Sequence, residues 1–312
     1  MIAVVGATGL VGRKIFEGLI DNGFYNLVLF ASKNSNGKKM EYKGKKYTVY
    51  TLNQDNIEIA RPKYAIFSAG SKIAKDWAKA FNKISCVVID NSSCFRKNKS
   101  VPLVACGINT KDIFTHKGII SNPNCSTLGV LPLLDLLKKY GLKRVIITTM
   151  QSVSGAGKKG LDHLQNGIEY FDYPIKDNII PKIGDFDKKY YTEEENKLIN
   201  ESRKILHLPT LNITATATRV PVSFCHCKSV NITLSKPLSK TKLINLLNKD
   251  NRIVLQDLPM PKDVTGKTKV YVGRIRKDFS CENSYNFFVV SDNLLRGAAT
   301  NAIEILKEIY SE

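Results

Sequence analysis

The chain opens on "IAVVGATGLVGRKIFEGLIDNG", an apolar run joined to an amphipathic segment through Gly6, Gly9 and Gly12. Ile15, Leu19 and Ile20 recur at helical spacing, so the stretch is a buried strand entering a helix. Glycines at this spacing allow a tight turn. They also let backbone N–H groups approach a pyrophosphate at the helix N-terminus. The plain alternative is a strand-to-helix turn with no ligand. The alternation continues with "NLVLFAS", "YAIFSAG", "KIAKDWAKAFNK" and "CVVIDNSS", and "VPLVACGIN" and "GIISNPN" are read as further strands. "KNSNGKKMEYKGKKYTVY" reads as a polar loop and an edge hairpin. Repeated strand–helix alternation predicts an α/β, Rossmann-type unit with a mostly parallel sheet.

At the end of the second strand, Ala31, Ser32, Lys33, Asn34 and Ser35 include no carboxylate. NAD enzymes usually carry an acidic residue there for the ribose hydroxyls. Hydroxyls and a lysine favour a 2′-phosphate, hence NADP. The second half differs in pattern. "RVIITTMQSVSGAG" is a strand running into a glycine-rich turn, and "LNITATATRVPV", "CHCKSVNITLS", "KVYVGRIRKDF" and "YNFFVVSDN" alternate as strands. They predict an α+β unit with a mixed, largely antiparallel sheet. Residues 158–208 read as loop-like except for a helix from Thr192 to Leu206, and an amphipathic helix closes the chain. The expected division is 1–124 with 293–312 as the dinucleotide-binding domain and 125–292 as the catalytic and dimerisation domain.

Lys and Arg number 47 against 28 Asp and Glu, a formal net charge of +19. Ten are arginines, which leaves 47 − 10 = 37 lysines spread along the whole chain. No arginine stripe interleaved with aromatics is present, so nucleic acid is not the expected partner. The positive field still favours anionic ligands. No apolar run approaches the ~20 residues that span a bilayer, and the first strand leaves no room for a leader. A cytoplasmic protein is expected, with its seven scattered cysteines reduced.

"SNPNCSTLGVLPLLDLLKKYG" sets Cys125 where an apolar helix begins. A thiol at a helix N-terminus loses its proton more readily and becomes a better nucleophile. A core cysteine in the capping region and an oxidant-sensing thiol are the alternatives. Of four histidines, His226 lies in a strand, seven residues after Arg219 (226 − 219 = 7). An arginine can hold a substrate carboxylate bidentately. In "CHC", Cys225 and Cys227 would point away from His226 along a strand, so no metal site is expected.

"GATGLVG", "FSAGS", "VVIDNSSCFR", "SNPNCST", "QSVSGAG", "RVPVSFCH", "VGRIRKD" and "SDNLLRGAATNAIEI" together resemble the aspartate-β-semialdehyde dehydrogenase family over nearly the whole chain. The resemblance implies Cys125 as nucleophile, His226 as acid/base and Gln151 to orient the acyl intermediate. It implies Arg219 for the substrate carboxylate, Glu194 for its amino group, and Arg96 and Lys197 for the phosphate, with Asn124 beside the nucleophile. Cofactor contacts are implied at Gly6, Thr8, Gly9, Leu10, Val11 and Gly12, at Ser32, Lys33 and Ser35, and at Ser68, Ala69 and Gly70. Asn91, Ser154, Gly155 and Asn293 complete them. The family usually has Arg at Asn34, Gly at Cys225 and Ser–Glu at Cys227–Lys228. Glu194–Lys197 also reads as an i, i+3 surface ion pair, and Arg96 as a solvated side chain.

The resemblance implies reduction of L-aspartyl-4-phosphate to aspartate semialdehyde with NADPH, in a homodimer or homotetramer. N-acetyl-γ-glutamyl-phosphate reductase shares the Cys/His logic but would carry a "GCY"-type context. A glyceraldehyde-phosphate dehydrogenase would carry "SCTTN". A basic binder that kept the fold without turnover is the rival from another class.

Overall fold

Ile2–Val5 forms a strand, β1, buried along its whole length, as a strand covered on both faces must be. A computed structural model describes residues 1–310. They divide into two units, one of Met1–Asn124 with the residues from Ala298 on, the other of Cys125–Gly297.

In the first unit β1 is followed by Leu10–Asp21 (α1), Leu27–Ala31 (β2), Lys39–Tyr42 (β3), Lys45–Thr51 (β4) and Gln54–Ala60 (α2). Tyr64–Phe67 (β5), Ser71–Lys83 (α3), Val87–Asp90 (β6) and Ile119–Ser121 (β7) complete its strands. The sheet order is β3-β4-β2-β1-β5-β6-β7, parallel throughout except for the edge hairpin β3–β4. Alternate residues of β1 serve two cores. Ile2 and Val4 pack with Ile15 and Leu19 of α1 and with Ile303 and Leu306 of the C-terminal helix Thr300–Tyr310. Ala3 and Val5 pack with Ile57 of α2 and Ala74, Ala78 and Phe81 of α3. Strand order reverses between β1 and β5, where α1 and α3 begin, and crevices of this kind hold ligands in doubly wound sheets.

The glycine turn is sterically closed. A Cβ on Gly12 would lie 2.0 Å from the Gly6 carbonyl oxygen, and one on Gly6 would lie 2.6 Å from that of Ser68. Gly6 also has φ +83°. "VPLVACGIN" is not a strand, contrary to its apolar pattern. Only Leu103 bridges Ser121, and side-chain amides take the place of a ladder: Asn109 donates to the Leu103 carbonyl (2.9 Å) and Asn301 to that of Val104 (2.8 Å).

In the second unit the apolar run after Cys125 is two helices, Cys125–Leu128 (α4) and Leu131–Lys138 (α5). A turn at Gly129–Val130 separates them, closed by the Val130 N–H donating to the Thr127 carbonyl (3.0 Å). Leu142–Gln151 (β8), Lys158–Asn166 (α6), Glu193–Ile205 (α7), Ile213–Arg219 (β9) and His226–Leu234 (β10) follow. Lys240–Asn248 (α8), Ile253–Leu255 (β11), Pro261–Val264 (α9), Val270–Lys277 (β12) and Ser284–Ser291 (β13) complete it. The sheet order is β11-β12-β13-β10-β8-β9. Its three central pairings are antiparallel and its two outer ones parallel, so the sheet is mixed. Helix α7 starts at a capping box in which Thr192 and Glu195 satisfy each other's backbone N–H groups. Residues 293–297, assigned from sequence to the first unit, pack in the second. Asp292 holds them: its carboxylate accepts from the N–H groups of Leu294 (2.8 Å) and Leu295 (2.9 Å).

Gly12→Ala is expected to lower stability by about 3 kcal/mol, because backbone rather than a movable side chain meets the new methyl. Gly23→Ala meets nothing within 4 Å and carries only the positive-φ cost, about 1 kcal/mol. Thermal melting of the two variants checks this; equal melting temperatures would show that the turn widens freely.

Candidate active site

Cross-strand register builds the centre of the site. Gln151, the last residue of β8, pairs with Arg219 of β9 on one side and His226 of β10 on the other. Residues directly opposite share a face, and neighbouring strands lie about 4.8 Å apart. Arg219, Gln151 and His226 therefore stand in one row. Only 6%, 1% and 0% of their respective surfaces are exposed.

Cys125 Sγ lies 3.3 Å from His226 Nε2. The other ring nitrogen, Nδ1, accepts the backbone N–H of Ser152 at 3.1 Å. An N–H pointing at Nδ1 leaves the neutral ring's proton on Nε2, facing the sulfur. Burial holds His226 well below its ordinary pKa, helped by the positive charges of Lys228 and Arg219. The pair is thus arranged as a neutral imidazole donating toward sulfur. Helix α4 contributes less than the sequence suggests, since it is a single turn of four residues.

Around this row the polar groups are interlocked. Gln151 donates to Glu194 Oε1 (3.2 Å), and Lys197 donates to Glu194 Oε2 (3.2 Å). Glu194 is 5% exposed, so the pair is not the solvated surface bridge that its spacing allows. Arg219 Nη1 donates to the Ser152 carbonyl (2.7 Å), and its guanidinium lies over the Phe171 ring (5.8 Å). Burial lowers the Arg219 pKa, with Glu194 opposing. A Cβ on Gly155 would come within 2.7 Å of Arg219 Nη1 and 3.2 Å of His226 Cε1. Asn293 Oδ1 accepts from the Cys225 N–H (2.9 Å) and from the hydroxyls of Ser152 (3.2 Å) and Ser154 (3.3 Å), so Asn293 and Ser154 form a buried brace. Cys225 precedes β10 with φ +69° rather than lying in it. It shares an apolar cluster with Cys227, Val264 and Val290. Among the described residues no group of three or more His, Cys, Asp or Glu side chains is placed to hold a metal.

The remaining sequence candidates lie in the first unit. Arg96 is buried rather than solvated: Nε donates to the Asn122 carbonyl (2.9 Å) and Nη2 to that of Asn91 (2.6 Å). Asn91 Oδ1 accepts from Asn122 (2.8 Å). Asn124 is 7% exposed. Gly9 and Gly70 begin α1 and α3 with no side-chain cap and no acidic residue in the first turn. By contrast α2, α7 and α8 are capped by Asn53, Thr192 and Ser239. Ser32, Lys33 and Asn34 are exposed beyond β2, while Ser35 is buried. Thr8 is exposed and Leu10 and Val11 half-buried at the start of α1, and Ser68 and Ala69 are half-buried after β5. Sequence reasoning gave no role to Ser152 or Phe171 and noted Lys228 only as a departure from the family beside the histidine. Ser152 lay in a quoted motif, but only the folded backbone aims its N–H at the ring.

A parallel sheet entered through a glycine turn, joined in one chain to a mixed sheet whose buried histidine meets a half-buried cysteine, defines a two-unit α/β protein equipped for thiol nucleophile chemistry. Residues 1–116 match the family model "Semialdehyde dehydrogenase, NAD binding domain", and residues 132–296 match "Semialdehyde dehydrogenase, dimerisation domain". An aspartate-semialdehyde dehydrogenase of Aquifex aeolicus is 40% identical, with 100% of this chain and 98% of the relative covered. One of Bacillus subtilis is 39% identical, with 99% and 96% covered. The crystal structure of aspartate semialdehyde dehydrogenase II complexed with ASA, from Vibrio cholerae, superimposes with a TM-score of 0.94 at 35% identity, with 100% and 98% covered. The chain belongs to the aspartate-semialdehyde dehydrogenase family. These relatives support that reading over N-acetyl-γ-glutamyl-phosphate reductase.

The depressed His226 fixes a pH trend. Below its ordinary value of 6.5 the unfolded chain binds a proton that the folded chain does not. Stability contributed by the neutral ring is therefore complete above that value and is lost as pH falls toward the folded pKa. Between about pH 7 and about pH 5 the melting temperature of wild type is expected to fall more steeply than that of His226→Gln. Parallel slopes would show that the buried ring does not resist protonation.

Proposed function

We propose that the protein catalyses NADPH-dependent reduction of L-aspartyl-4-phosphate to L-aspartate 4-semialdehyde, releasing phosphate, through a thioester on Cys125. The observation that carries this reading is the 3.3 Å contact between Cys125 Sγ and His226 Nε2 in a row that ends on buried Arg219. Arg219 takes the α-carboxylate, Glu194 the amino group, and Arg96 and Lys197 the phosphate; Asn124 flanks the nucleophile. Gln151 orients the acyl group.

The Cys125 thiolate attacks the acyl carbon and forms the C–S bond. His226 Nε2–H donates to the oxyanion as charge develops. The C–O bond then breaks and phosphate leaves. A dinucleotide held at the first unit's glycine turn would supply the hydride that reduces the thioester carbon. His226 protonates the resulting alkoxide, then takes that proton back as the C–S bond breaks, which releases aldehyde and restores the thiolate.

The first unit fits a dinucleotide. The uncapped N-termini of α1 and α3 leave N–H groups for a pyrophosphate. A Cβ on Gly70 would meet nothing within 4 Å, so that approach is open. We assign Gly6–Gly12 and Ser68–Gly70 to the diphosphate, and Asn91 and Gly155 to the nicotinamide. Ser154 and Asn293 support that end from their buried brace. Ser32 and Lys33, with Ser35 shaping their turn, take the 2′-phosphate that selects NADP over NAD. The dimerisation-domain match supports an oligomer, which we take to be a homodimer or homotetramer. Among the described residues no helix is long and apolar enough to cross a membrane, and we place the enzyme in the cytoplasm, without nucleic acid as a partner.

The test is dinucleotide reduction by the purified protein with aspartate semialdehyde, phosphate and either NADP or NAD. Turnover is expected to need phosphate and to favour NADP. Cys125→Ala is expected to lose at least about 1,000-fold in rate while keeping its fold. Arg219→Ala is expected to raise KM for the aldehyde. Turnover retained by Cys125→Ala would refute the thioester route.

A further inference from the structure

Lys228 lies two residues beyond His226, on the same face of β10. It is 0% exposed, an expensive place for an ammonium. Its Nζ donates to the Ser291 hydroxyl (3.2 Å) and the His226 carbonyl (3.4 Å), both uncharged oxygens. Room for it exists because residue 129 is glycine: a Cβ there would lie 2.5 Å from Nζ. The Gly129 N–H donates to the Cys125 carbonyl (3.2 Å). The ammonium therefore sits at the end of the single turn that Cys125 begins.

Three cysteines bear on this position: Cys225 and Cys227 precede Lys228 on the chain, and Cys125 begins the turn that Gly129 closes against the lysine Nζ. Burial pushes Cys225 up to about 12 and raises Cys227, so neither supplies a negative charge. Cys125, by contrast, is half-buried, with its sulfur 3.3 Å from His226 Nε2. His226 faces the same charge from β10 and that of Arg219 from β9, and both disfavour its imidazolium. The β8 and β13 residues directly opposite Lys228, Thr149 and Val289, carry no charge.

We propose that Lys228 is a positioning residue whose buried ammonium stabilises the thiolate of Cys125 and the uncharged ring of His226. The inference rests on Cys125 being the nucleophile, and it identifies what replaces the helix field that a four-residue α4 cannot provide. Burial brings the Lys228 pKa down to about 8. Its charge is therefore present below that pH and fades above it.

The experiment is the pH dependence of iodoacetamide alkylation of Cys125 in the full chain without substrate, read by peptide mass spectrometry so that the seven cysteines separate. Lys228→Met is expected to raise the alkylation midpoint by about one pH unit. Alkylation below the wild-type midpoint then slows about tenfold. Lys228→Gln, which keeps a donor toward Ser291, is expected to do the same and serves if the methionine variant does not fold. Rapid alkylation with an unchanged midpoint in a folded variant overturns the role of Lys228 alone. Wild-type Cys125 reacting no faster than exposed Cys281 overturns the nucleophile assignment itself, and this inference with it.

Discussion

The hydrogen-bond register between β9, β8 and β10 is the constraint on which the site depends. It places Arg219, Gln151 and His226 on one line at the end of three adjacent strands. Side chains alternate with a period of two, so a slip of one residue in β8 would send Gln151 to the opposite face. A slip in β10 would replace His226 by a neighbouring cysteine. Loops alone could not hold a buried guanidinium, amide and imidazole in such an order. The strands are fixed by their ladders, and the functional groups inherit that rigidity.

The same end of the sheet carries a local cost. Cys225 occupies a left-handed conformation, φ +69°, that glycine tolerates and a side chain does not, a strain of about 1–2 kcal/mol. The resemblance noted from sequence has glycine at this position, and the backbone explains why. Here the cysteine is retained with compensation. Its N–H donates to Asn293, and its side chain is buried against Val264 and Val290. The strain lies immediately before His226, where the chain must turn sharply to enter β10.

Much of this was legible in the residues. The Gly6–Gly9–Gly12 turn, the apolar strands and the period-two strands of the second half are local patterns, and local physics decides them. The pairing of Cys125 with His226 was legible only through motifs, because 101 residues separate them. "VPLVACGIN" failed as a strand because Asn109 and Asn301 bind its carbonyls, and no local pattern announces a partner almost 200 residues away. The leucine-rich run read as one helix because its apolar spacing continues through Gly129. What breaks it is Pro132 in the first turn of α5, which has no N–H to continue the ladder from α4, a local signal that the apolar spacing masked. For Arg96 and Glu194 the sequence left a solvated alternative open, and only the backbone carbonyls and the Gln151 amide around them show why they are buried.

Asn301 gives the first unit a dependence on a segment distant in sequence. Its side chain accepts the Cys106 N–H (2.9 Å) and donates to Asn122 (2.6 Å), and its helix fills one face of the parallel sheet with Ile303 and Leu306. All 173 residues from Cys125 to Gly297 (297 − 125 + 1) must be translated before that helix exists. At roughly 5–20 residues per second, the delay is roughly 9–35 s. For that interval α1 alone covers that face of the nascent parallel sheet, where Ile2, Val4 and Leu29 await the second helix. Folding of the first unit is therefore completed only after the residues of the second unit have been made.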